Sequence, residues 1–307
     1  MPLFRRYEGD PVPDAPLEQR ILSFLDPRRG DAQVFYDQDI DARPLLAWLD
    51  HANRDRPKDD HFTVFHVVTG GIVRALQIRP KMNRFVVGGV LYQRKWVDIS
   101  FIVKKQMHDD GKTSAVKVHF EDGDTLEKMV GRIKGAVGRG RKHSKTASER
   151  EMALGLKLPR VMLKGVVAAV RTLDFFNLLP ASMIDADELY SSAFLANLGG
   201  VGLAAPQHHL YDWGTIPMFT VIGKIEKKAV VNDAGKVEVR DILPLRWTFD
   251  ERCADGYYAA GSLDMVRDFV VNPEALMKVG PPAEKPWTPE GTPKGRRSAN
   301  TVEVVAD

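Results

Sequence analysis

The hydrophobic and polar positions of the chain follow two different periods in turn. Apolar residues that alternate with polar ones predict strands, and apolar residues spaced three and four apart predict helices. The segments that predict strands are 32–41, 83–105 around a Gly-Gly turn, 114–122, 218–231 and 237–250. The segments that predict helices are 17–25, 42–53, 61–80, 124–141, 157–184 and 258–276. Because strands and helices are interspersed along the chain, the pattern predicts an α/β fold.

The two ends of the chain differ from the middle in composition. Residues 1–31 are rich in proline, arginine and aspartate, and we expect an arm that contains one short helix. Residues 280–307 contain few apolar side chains, which cannot offset the entropy lost on ordering, so we expect a flexible tail. The chain is 44% hydrophobic and 28% charged, as is typical of a globular protein. These features predict one domain over residues 32–279.

Charge and cysteine content exclude several classes of protein. The net charge of +3 is too small to favour nucleic acid as the main partner. A single cysteine, Cys253, rules out an internal disulfide framework and fits a reducing compartment. Residues 1–14 are too polar for a signal peptide. No apolar run reaches the roughly 18 residues that a transmembrane helix needs. We therefore expect a cytoplasmic protein without a transmembrane segment.

Four stretches resemble a known family in their order and spacing. They are "HFTVFHVVTGGIVRALQIRPKMN", "SSAFLANLGGVG", "PMFTVIGKIEKKAVV" and "LPLRWTFDERCADGYYAAGSLDMVRDFVVNPEAL". Together they resemble the catalytic domain of the dihydrolipoyl acyltransferases of 2-oxoacid dehydrogenase complexes, whose fold chloramphenicol acetyltransferase shares. The resemblance covers about residues 32–277. It implies a chloramphenicol acetyltransferase-like mixed sheet flanked by helices, with an inserted helical segment at about 145–188.

The resemblance also implies an assembly and a cofactor. The family forms trimers, which in some members build larger cages, and its active site lies between protomers. Coenzyme A or an acyl-CoA enters that site from one end, and the acyl acceptor enters from the other. The residues that the resemblance assigns to cofactor binding are Ser192, Asn197, Gly199 and Gly256. We expect no covalent lipoyl group in this chain.

The stretch "TFDERCADG" resembles the family motif Asp-His-Arg-x-x-Asp-Gly, but it differs at the catalytic position. A thiol is mostly protonated at neutral pH, so acyl transfer needs a base, and the tetrahedral intermediate needs a hydrogen-bond donor. The base position holds Glu251, and the position of the family's hydroxyl donor holds Ala196. Asp255 and Gly256 retain the last two residues of the motif. Both positions have therefore lost the usual chemical group.

Two replacements for the missing base can be considered. Burial would raise the pKa of Glu251 and make it a better base, but a salt bridge with an interface arginine is the interpretation we favour. Alternatively His208 or His209 is the base and Asp212 orients it, although these residues also suit an interface with ordinary hydrogen bonds. The surrounding sequence lacks ligands at metal spacing, so we expect no metal.

Other candidate groups also have simpler structural interpretations. Ser191 and Ser192 offer a displaced oxyanion donor, but serines at the start of a strand favour turn chemistry. Cys253, between apolar neighbours, is typical of a small buried side chain rather than a nucleophile. Residues 131–145 are basic and suit the phosphates of coenzyme A, but a solvated helix end is favoured. The other histidines are scattered and suggest no triad.

The inserted segment has an unusual surface. On a helical wheel, Arg160, Lys164 and Arg171 form one narrow stripe and almost every other position is apolar. The apolar remainder must therefore be buried, on the trimer, on a neighbouring trimer or on a membrane surface. Three polar or helix-breaking residues favour a loop return and hence protein packing: Asp174, Asn177 and Pro180.

Two hypotheses for function remain. The first is a catalytically degenerate homotrimer that acts as a scaffold, and we favour it because two catalytic positions lack their groups. The alternative is an active acyl-CoA-dependent acyltransferase that uses His208, His209 and Glu251 as relocated catalytic groups.

Overall fold

The computed structural model describes residues 4–104, 113–142 and 154–280. The strands are β1 (Gly9–Pro11), β2 (Gln33–Asp41), β3 (Arg84–Val87), β4 (Val90–Arg94), β5 (Val97–Lys104), β6 (Thr113–Phe120), β7 (Ala193–Asn197), β8 (Met218–Ile222), β9 (Glu226–Val231) and β10 (Val237–Asp250). The helices are α1 (Leu17–Leu25), α2 (Arg43–Asn53), α3 (Val64–Ile78), α4 (Leu126–Lys142), α5 (Arg160–Phe175), α6 (Ala181–Ala186) and α7 (Gly256–Val271). Part of the basic segment and nearly all of the expected tail, residues 143–153 and 281–307, lie outside the described residues.

The main sheet is mixed, as predicted. Its strands follow the order β2-β10-β8-β7-β5-β6, and β9 pairs with the first half of β10. Strand β7 runs parallel to both of its neighbours, β5 and β8, whereas the other pairs are antiparallel. A smaller sheet has the order β1-β4-β3. Ala196, at the position that the resemblance assigns to the family's hydroxyl donor, lies near the end of β7.

The core lies between one face of the main sheet and the helices α2, α3, α4 and α7. Helix α3 is almost wholly buried and packs directly on α7, with Gly71 close to Phe269. A Cβ at Gly71 would lie 3.3 Å from the Cβ of Phe269, so glycine permits this close approach. Trp247 on β10 is fully buried, and its indole nitrogen donates a 3.0 Å hydrogen bond to Gln38 on β2. This face therefore has the packing of an ordinary protein interior.

A long irregular segment covers the opposite face of the sheet. Residues 198–216 cross β7 and β8, and Leu210 and Ile216 are buried against Phe194 and Phe219. The rings of Phe194 and Phe219 stack with centroids 5.2 Å apart. The candidate histidines belong to this covering segment.

The amino-terminal arm is tied into the body more closely than the sequence predicted. Strand β1 pairs with β4, and Glu8 is buried. The Glu8 carboxylate accepts hydrogen bonds from Arg6 at 2.8 Å and from Arg94 at 3.1 Å. Burial alone would raise the pKa of Glu8, but Arg94 and Arg6 together hold it below its ordinary value. A buried carboxylate between two arginines therefore anchors the arm.

Residues 157–184, predicted as one helical segment, contain the helix α5 and the start of the separate helix α6. Helix α5 ends at Phe175, and Asn177 then adopts a positive φ of 61° that an L-residue rarely takes. The Asn177 side chain donates to the carbonyl of Phe4 and to the hydroxyl of Tyr92. Pro180 precedes the short helix α6. Asn177 and Pro180 therefore lie where the chain returns, as expected, whereas Asp174 is still helical. Asn177 also holds the arm.

Candidate functional site

The closing segment, which we define as residues 250–256 between β10 and α7, begins with a buried ion pair. Asp250, the last residue of β10, accepts two hydrogen bonds from Arg252, at 2.8 and 2.7 Å, in a bidentate arrangement. Arg252 also donates to the carbonyls of Asp26 and Pro27. Both charged side chains are buried. This pair joins the end of the sheet to the chain that leads from α1 to β2.

Glu251 lies between these two buried residues but is itself exposed. Its backbone nitrogen donates to the carbonyl of Ala32 at 3.0 Å. Its carboxylate has no hydrogen bond or ion pair with any residue that the structure describes. Arg252 is engaged by Asp250 and does not pair with Glu251. The expected salt bridge between Glu251 and an interface arginine, which would come from another protomer, stays a prediction. Within one protomer, neither burial nor a cation prepares Glu251 for catalysis.

Asp255 and Gly256 mark the start of a helix. The Asp255 carboxylate accepts a 2.8 Å hydrogen bond from the backbone nitrogen of Tyr258, which makes it the N-cap of α7. Gly256 is the first residue of that helix, and a Cβ placed there would meet no atom within 4 Å. Asp255 therefore has a structural role in this protomer, and packing in the protomer does not require glycine at 256.

The Asn-Leu-Gly stretch after Ala196 supports a close backbone crossing. Ala196 lies on β7 opposite Val221, is half-buried, and has no polar side-chain atom. Asn197 is exposed and accepts a hydrogen bond from Gly200. A Cβ at Gly199 would lie only 2.4 Å from the carbonyl oxygen of Gly223. Gly199 therefore lets the loops after β7 and β8 cross.

Ala196 and Glu251 lie beside opposite ends of strand β8. Ala196 faces Val221 near the end of β8, whereas the backbone of Asp250 bonds to Pro217 just before β8 begins. Four residues of extended chain separate these points, which is about 13 Å at the usual rise. A site that uses both positions is therefore not formed within one protomer.

The two histidines stack on the covering side of the sheet. The ring of His208 lies parallel to Phe219, with centroids 3.9 Å apart, and 4.9 Å from the ring of His209. The Nδ1 atoms of His208 and His209 face the backbone carbonyls of the next residues, at 2.7 and 2.9 Å. Asp212 instead accepts a hydrogen bond from the backbone of Gly30. Asp212 therefore does not orient either ring in this conformation.

The serines at the start of β7 are structural. Ser191 donates to the carbonyl of Glu188, and Ser192 accepts a 3.0 Å hydrogen bond from the backbone of Asp98. Both side chains are fully buried. They lie at the end of β7 away from Ala196, so they are not placed to replace the missing hydroxyl. The predicted cofactor contact at Ser192 is likewise covered in this conformation.

Cys253 is a buried thiol. It packs with Val86 and Leu91, and burial raises its pKa well above the ordinary value. A thiol in this environment stays protonated and is a poor nucleophile. The basic residues of 131–142 belong to helix α4. Within the described ranges, no three histidine, cysteine, aspartate or glutamate side chains gather at metal-binding distance.

One histidine–carboxylate pair was not predicted from the sequence. His119 on β6 lies opposite Asp98 on β5, and its Nδ1 atom is 2.8 Å from the Asp98 carboxylate. Trp96 donates to the other oxygen of the same carboxylate. The hydrogen bond to Asp98 raises the pKa of His119. The register of β5 and β6 brings His119 and Asp98 together, and no sequence motif predicts this pair.

Comparison with known proteins supports the fold on two grounds. Residues 216–278 match the family model described as 2-oxoacid dehydrogenases acyltransferase (catalytic domain). The dihydrolipoamide acetyltransferase of Azotobacter vinelandii is 15% identical with a TM-score of 0.56, and the match covers 86% of this chain and 93% of that one. No curated protein sequence matches the chain.

Two further solved structures have the same architecture. Chloramphenicol acetyltransferase is 12% identical with a TM-score of 0.54, over 85% of this chain and 99% of that one. The cubic core of the pyruvate dehydrogenase multienzyme complex is 18% identical with a TM-score of 0.51, over 84% and 88% of the two chains. The chain has the chloramphenicol acetyltransferase-like fold of the 2-oxoacid dehydrogenase acyltransferase cores, which confirms the predicted resemblance.

Proposed function

We propose that this protein is a non-catalytic acyltransferase-fold subunit that assembles through copies of itself and acts as a scaffold. The observation that carries the proposal is the state of the two catalytic positions. Ala196 offers no donor, and Glu251 is exposed without a partner among the described residues. Loss of a general base costs about 10²–10⁴ in rate, and loss of an oxyanion donor about 10²–10³. Little of the family reaction would survive both losses.

The spacing of the motif supports the assignment of these positions. A serine, a histidine and an asparagine were investigated for their role in the catalytic mechanism of the Azotobacter vinelandii enzyme. In that enzyme the histidine and the asparagine stand four positions apart. Glu251 and Asp255 have the same separation in this chain. This equal spacing supports assigning Glu251 to the position of the histidine and Asp255 to that of the asparagine.

Two features of the protomer support self-assembly. Ala196 on β7 and Glu251 after β10 lie beside opposite ends of β8, so a family-type site needs a second copy. The β9–β10 hairpin also has an exposed apolar face that includes Val231, Val237 and Val239. One solved structure of this fold is a cubic core. We infer a trimer or a multiple of three, in which these surfaces meet.

Light scattering and an acyl-transfer assay on the same sample test the proposal. The expected mass is a multiple of three protomers, with no transfer of acetyl from acetyl-CoA to dihydrolipoamide above the uncatalysed rate. A monomer at micromolar concentration would contradict the assembly. Saturable turnover by the wild type would contradict the loss of catalysis.

An active enzyme with relocated groups is the second candidate. It is favoured by the exposed His209 and the half-buried His208, whose Nε2 atoms have no hydrogen bond to any described residue. Coenzyme A or an acyl-CoA would be the cofactor, with the exposed Asn197 and Gly256 open to contact it. In that case His208→Ala or His209→Ala should lower turnover by about 10²-fold or more. Turnover unchanged in both variants would reject this candidate.

A further inference from the structure

Helix α5 presents its apolar side chains to solvent. None of its 16 residues is buried. Val161 is 82% exposed, Met162 56% and Phe175 55%. The sequence predicted that these side chains must be covered, but the part of the protomer that the structure describes leaves them exposed. Apolar exposure on this scale is typical of a surface that binds something.

The orientation of α5 separates an inner face from an outer face. Leu163, Val167, Val170 and Asp174 recur at helical spacing and are half-buried, so this stripe faces the body. Asp174 is held there by a 2.6 Å ion pair with Arg6. The acidic residue that favoured protein packing in the sequence therefore points inward. The outer face of the helix is left apolar.

Helix α1 has the opposite arrangement to a normal surface helix. Leu17, Ile21 and Phe24 lie on one face and are exposed by 74%, 48% and 69%. Gln19 and Ser23 are buried instead, and each has a side-chain oxygen without a hydrogen-bond partner in the described structure. A helix that faces water normally buries its apolar stripe. The reversed pattern indicates that the outer face of α1 meets an apolar environment.

The two helices form one continuous surface around the β3–β4 turn. A Cβ at Gly89 would lie 3.2 Å from the ring of Phe24 on α1. A Cβ at the preceding Gly88 would lie 2.4 Å from the carbonyl oxygen of Phe175, the last residue of α5. Adjacent residues of this turn therefore touch both helices. We call the exposed faces of α1 and α5 the α1–α5 surface.

The charges beside the α5 part of this surface are positive, whereas α1 carries the exposed Glu18 and Arg20. Lys157, Arg160, Lys164 and Arg171 are exposed, and residues 154–173 contain no aspartate or glutamate. No ion pair or hydrogen bond joins these four cations to another residue in the described ranges. At helical spacing, Arg160, Lys164 and Arg171 lie on the flank between the inner stripe and the apolar outer face. Cations in that position reach the headgroup level while apolar neighbours enter the lipid.

We propose that the α1–α5 surface binds the surface of an anionic lipid bilayer, with the apolar faces at the acyl boundary and the cations at the headgroups. Among the described residues no helix is long and apolar enough to span a membrane, so the binding is interfacial. A second copy fits this surface less well. In a symmetric contact of α5 against α5, residues 154–173 offer no acidic side chain to neutralise the unpaired cations of the other copy. Anionic lipid instead neutralises all four.

Flotation of the full chain on a density gradient tests the proposal. The probes are vesicles of phosphatidylcholine alone and vesicles of phosphatidylcholine with phosphatidylglycerol. Flotation separates bound protein from aggregates, which do not rise. The wild type should float with the anionic vesicles and be released by high salt. Val161→Glu or Phe24→Glu should weaken binding about tenfold or more, because a large apolar side chain no longer enters the lipid. Lys164→Gln should weaken it about fivefold.

The end of the described chain supplies a matched control. Val279 is 75% exposed beside Gly123, outside the α1–α5 surface and outside the hairpin face, so Val279→Glu adds the same charge and should float like the wild type. Failure of the wild type to float with anionic vesicles would overturn the proposal. Equal losses in Val279→Glu and Val161→Glu would also overturn it. If Val161→Glu instead lowers the mass of the lipid-free oligomer and no vesicle binding is seen, the surface joins two copies of the chain.

Discussion

Two neighbouring parts of the closing segment have opposite environments. Asp250 and Arg252 are buried and bind each other through two hydrogen bonds, whereas Glu251 between them is exposed and unpaired among the described residues. The first part fastens the end of the sheet, and the second lies at the position that the resemblance assigns to the catalytic base. Under the proposed function, the framework of the fold has been kept while the reactive groups have changed. If so, substitutions in the framework should affect stability strongly, and substitutions at the altered positions should have little effect.

The largest effect is expected at the buried ion pair. Asp250→Ala would leave Arg252 buried without its carboxylate and would also remove the charge 3.7 Å from Arg29. Breaking a buried pair in this way costs about 3–5 kcal/mol in the free energy of unfolding. Urea denaturation measures the cost. The neighbouring Glu251→Ala is the control and should change stability by no more than about 0.5 kcal/mol. Similar losses of stability in Asp250→Ala and Glu251→Ala would contradict the proposed difference between the buried ion pair and the exposed Glu251.

Two glycines of the family motifs should also differ. Gly199→Ala places a Cβ against the carbonyl of Gly223, so we expect a loss of about 1–3 kcal/mol from overpacking. Gly256→Ala meets no atom within 4 Å at the first position of α7. Alanine favours a helix over glycine, so this variant should be as stable as the wild type or slightly more stable. Melting temperatures of the two variants provide the comparison, and a large loss at Gly256 would mean that it packs against another copy.

Asp255 should show a smaller, local effect. Asp255→Ala removes the N-cap of α7 and should cost about 1 kcal/mol. Asp255→Asn keeps a capping oxygen and should retain most of the stability. Chemical denaturation of both variants tests this role. Equal losses in the alanine and asparagine variants would show that the charge of Asp255, rather than its cap, is required.

The smallest effect concerns the half-exposed pair of His119 and Asp98. The carboxylate raises the pKa of His119 in the folded state. The pair therefore stabilises the protein below the unfolded pKa of histidine, and this contribution disappears as the pH rises through the higher folded value. Solvent reduces its size because the ring is half-exposed. The melting temperature of His119→Gln should fall below that of the wild type at acidic pH and approach it at alkaline pH. The reverse order would contradict the assigned charge.

The fold was more predictable from the sequence than the site. Apolar periodicity placed most strands and helices, because burial on one face requires it. Strand β1 was not predicted, and β7 was suggested only by the family resemblance. The polar residues after α5 suggested a return of the chain, but not the positive φ of Asn177 that side-chain bonds to the arm hold. Nor did it show that Glu8 is buried, because its partner Arg94 lies on β4, far along the chain.

The site depended on contacts that one sequence does not encode locally. The family motifs pointed to Glu251 and Ala196, but only strand register shows that they lie beside opposite ends of β8. The cluster of titratable residues in 205–215 suggested that Asp212 orients a histidine. Asp212 bonds to Gly30 instead, because the α1–β2 connection passes beside it. Strand register therefore determines the separation of Glu251 and Ala196, and packing between distant segments determines the partner of Asp212.

The most direct test is turnover of acetyl-CoA with dihydrolipoamide by the wild type and by Glu251→Gln, at matched concentrations of the assembled protein. The substitution keeps the shape of the exposed side chain and removes its capacity to accept a proton. If the protein is non-catalytic, both proteins show only the uncatalysed rate. Saturable wild-type turnover that falls by about 10²-fold or more in Glu251→Gln would contradict the proposed loss of catalysis, because Glu251 would then be the general base of an active enzyme.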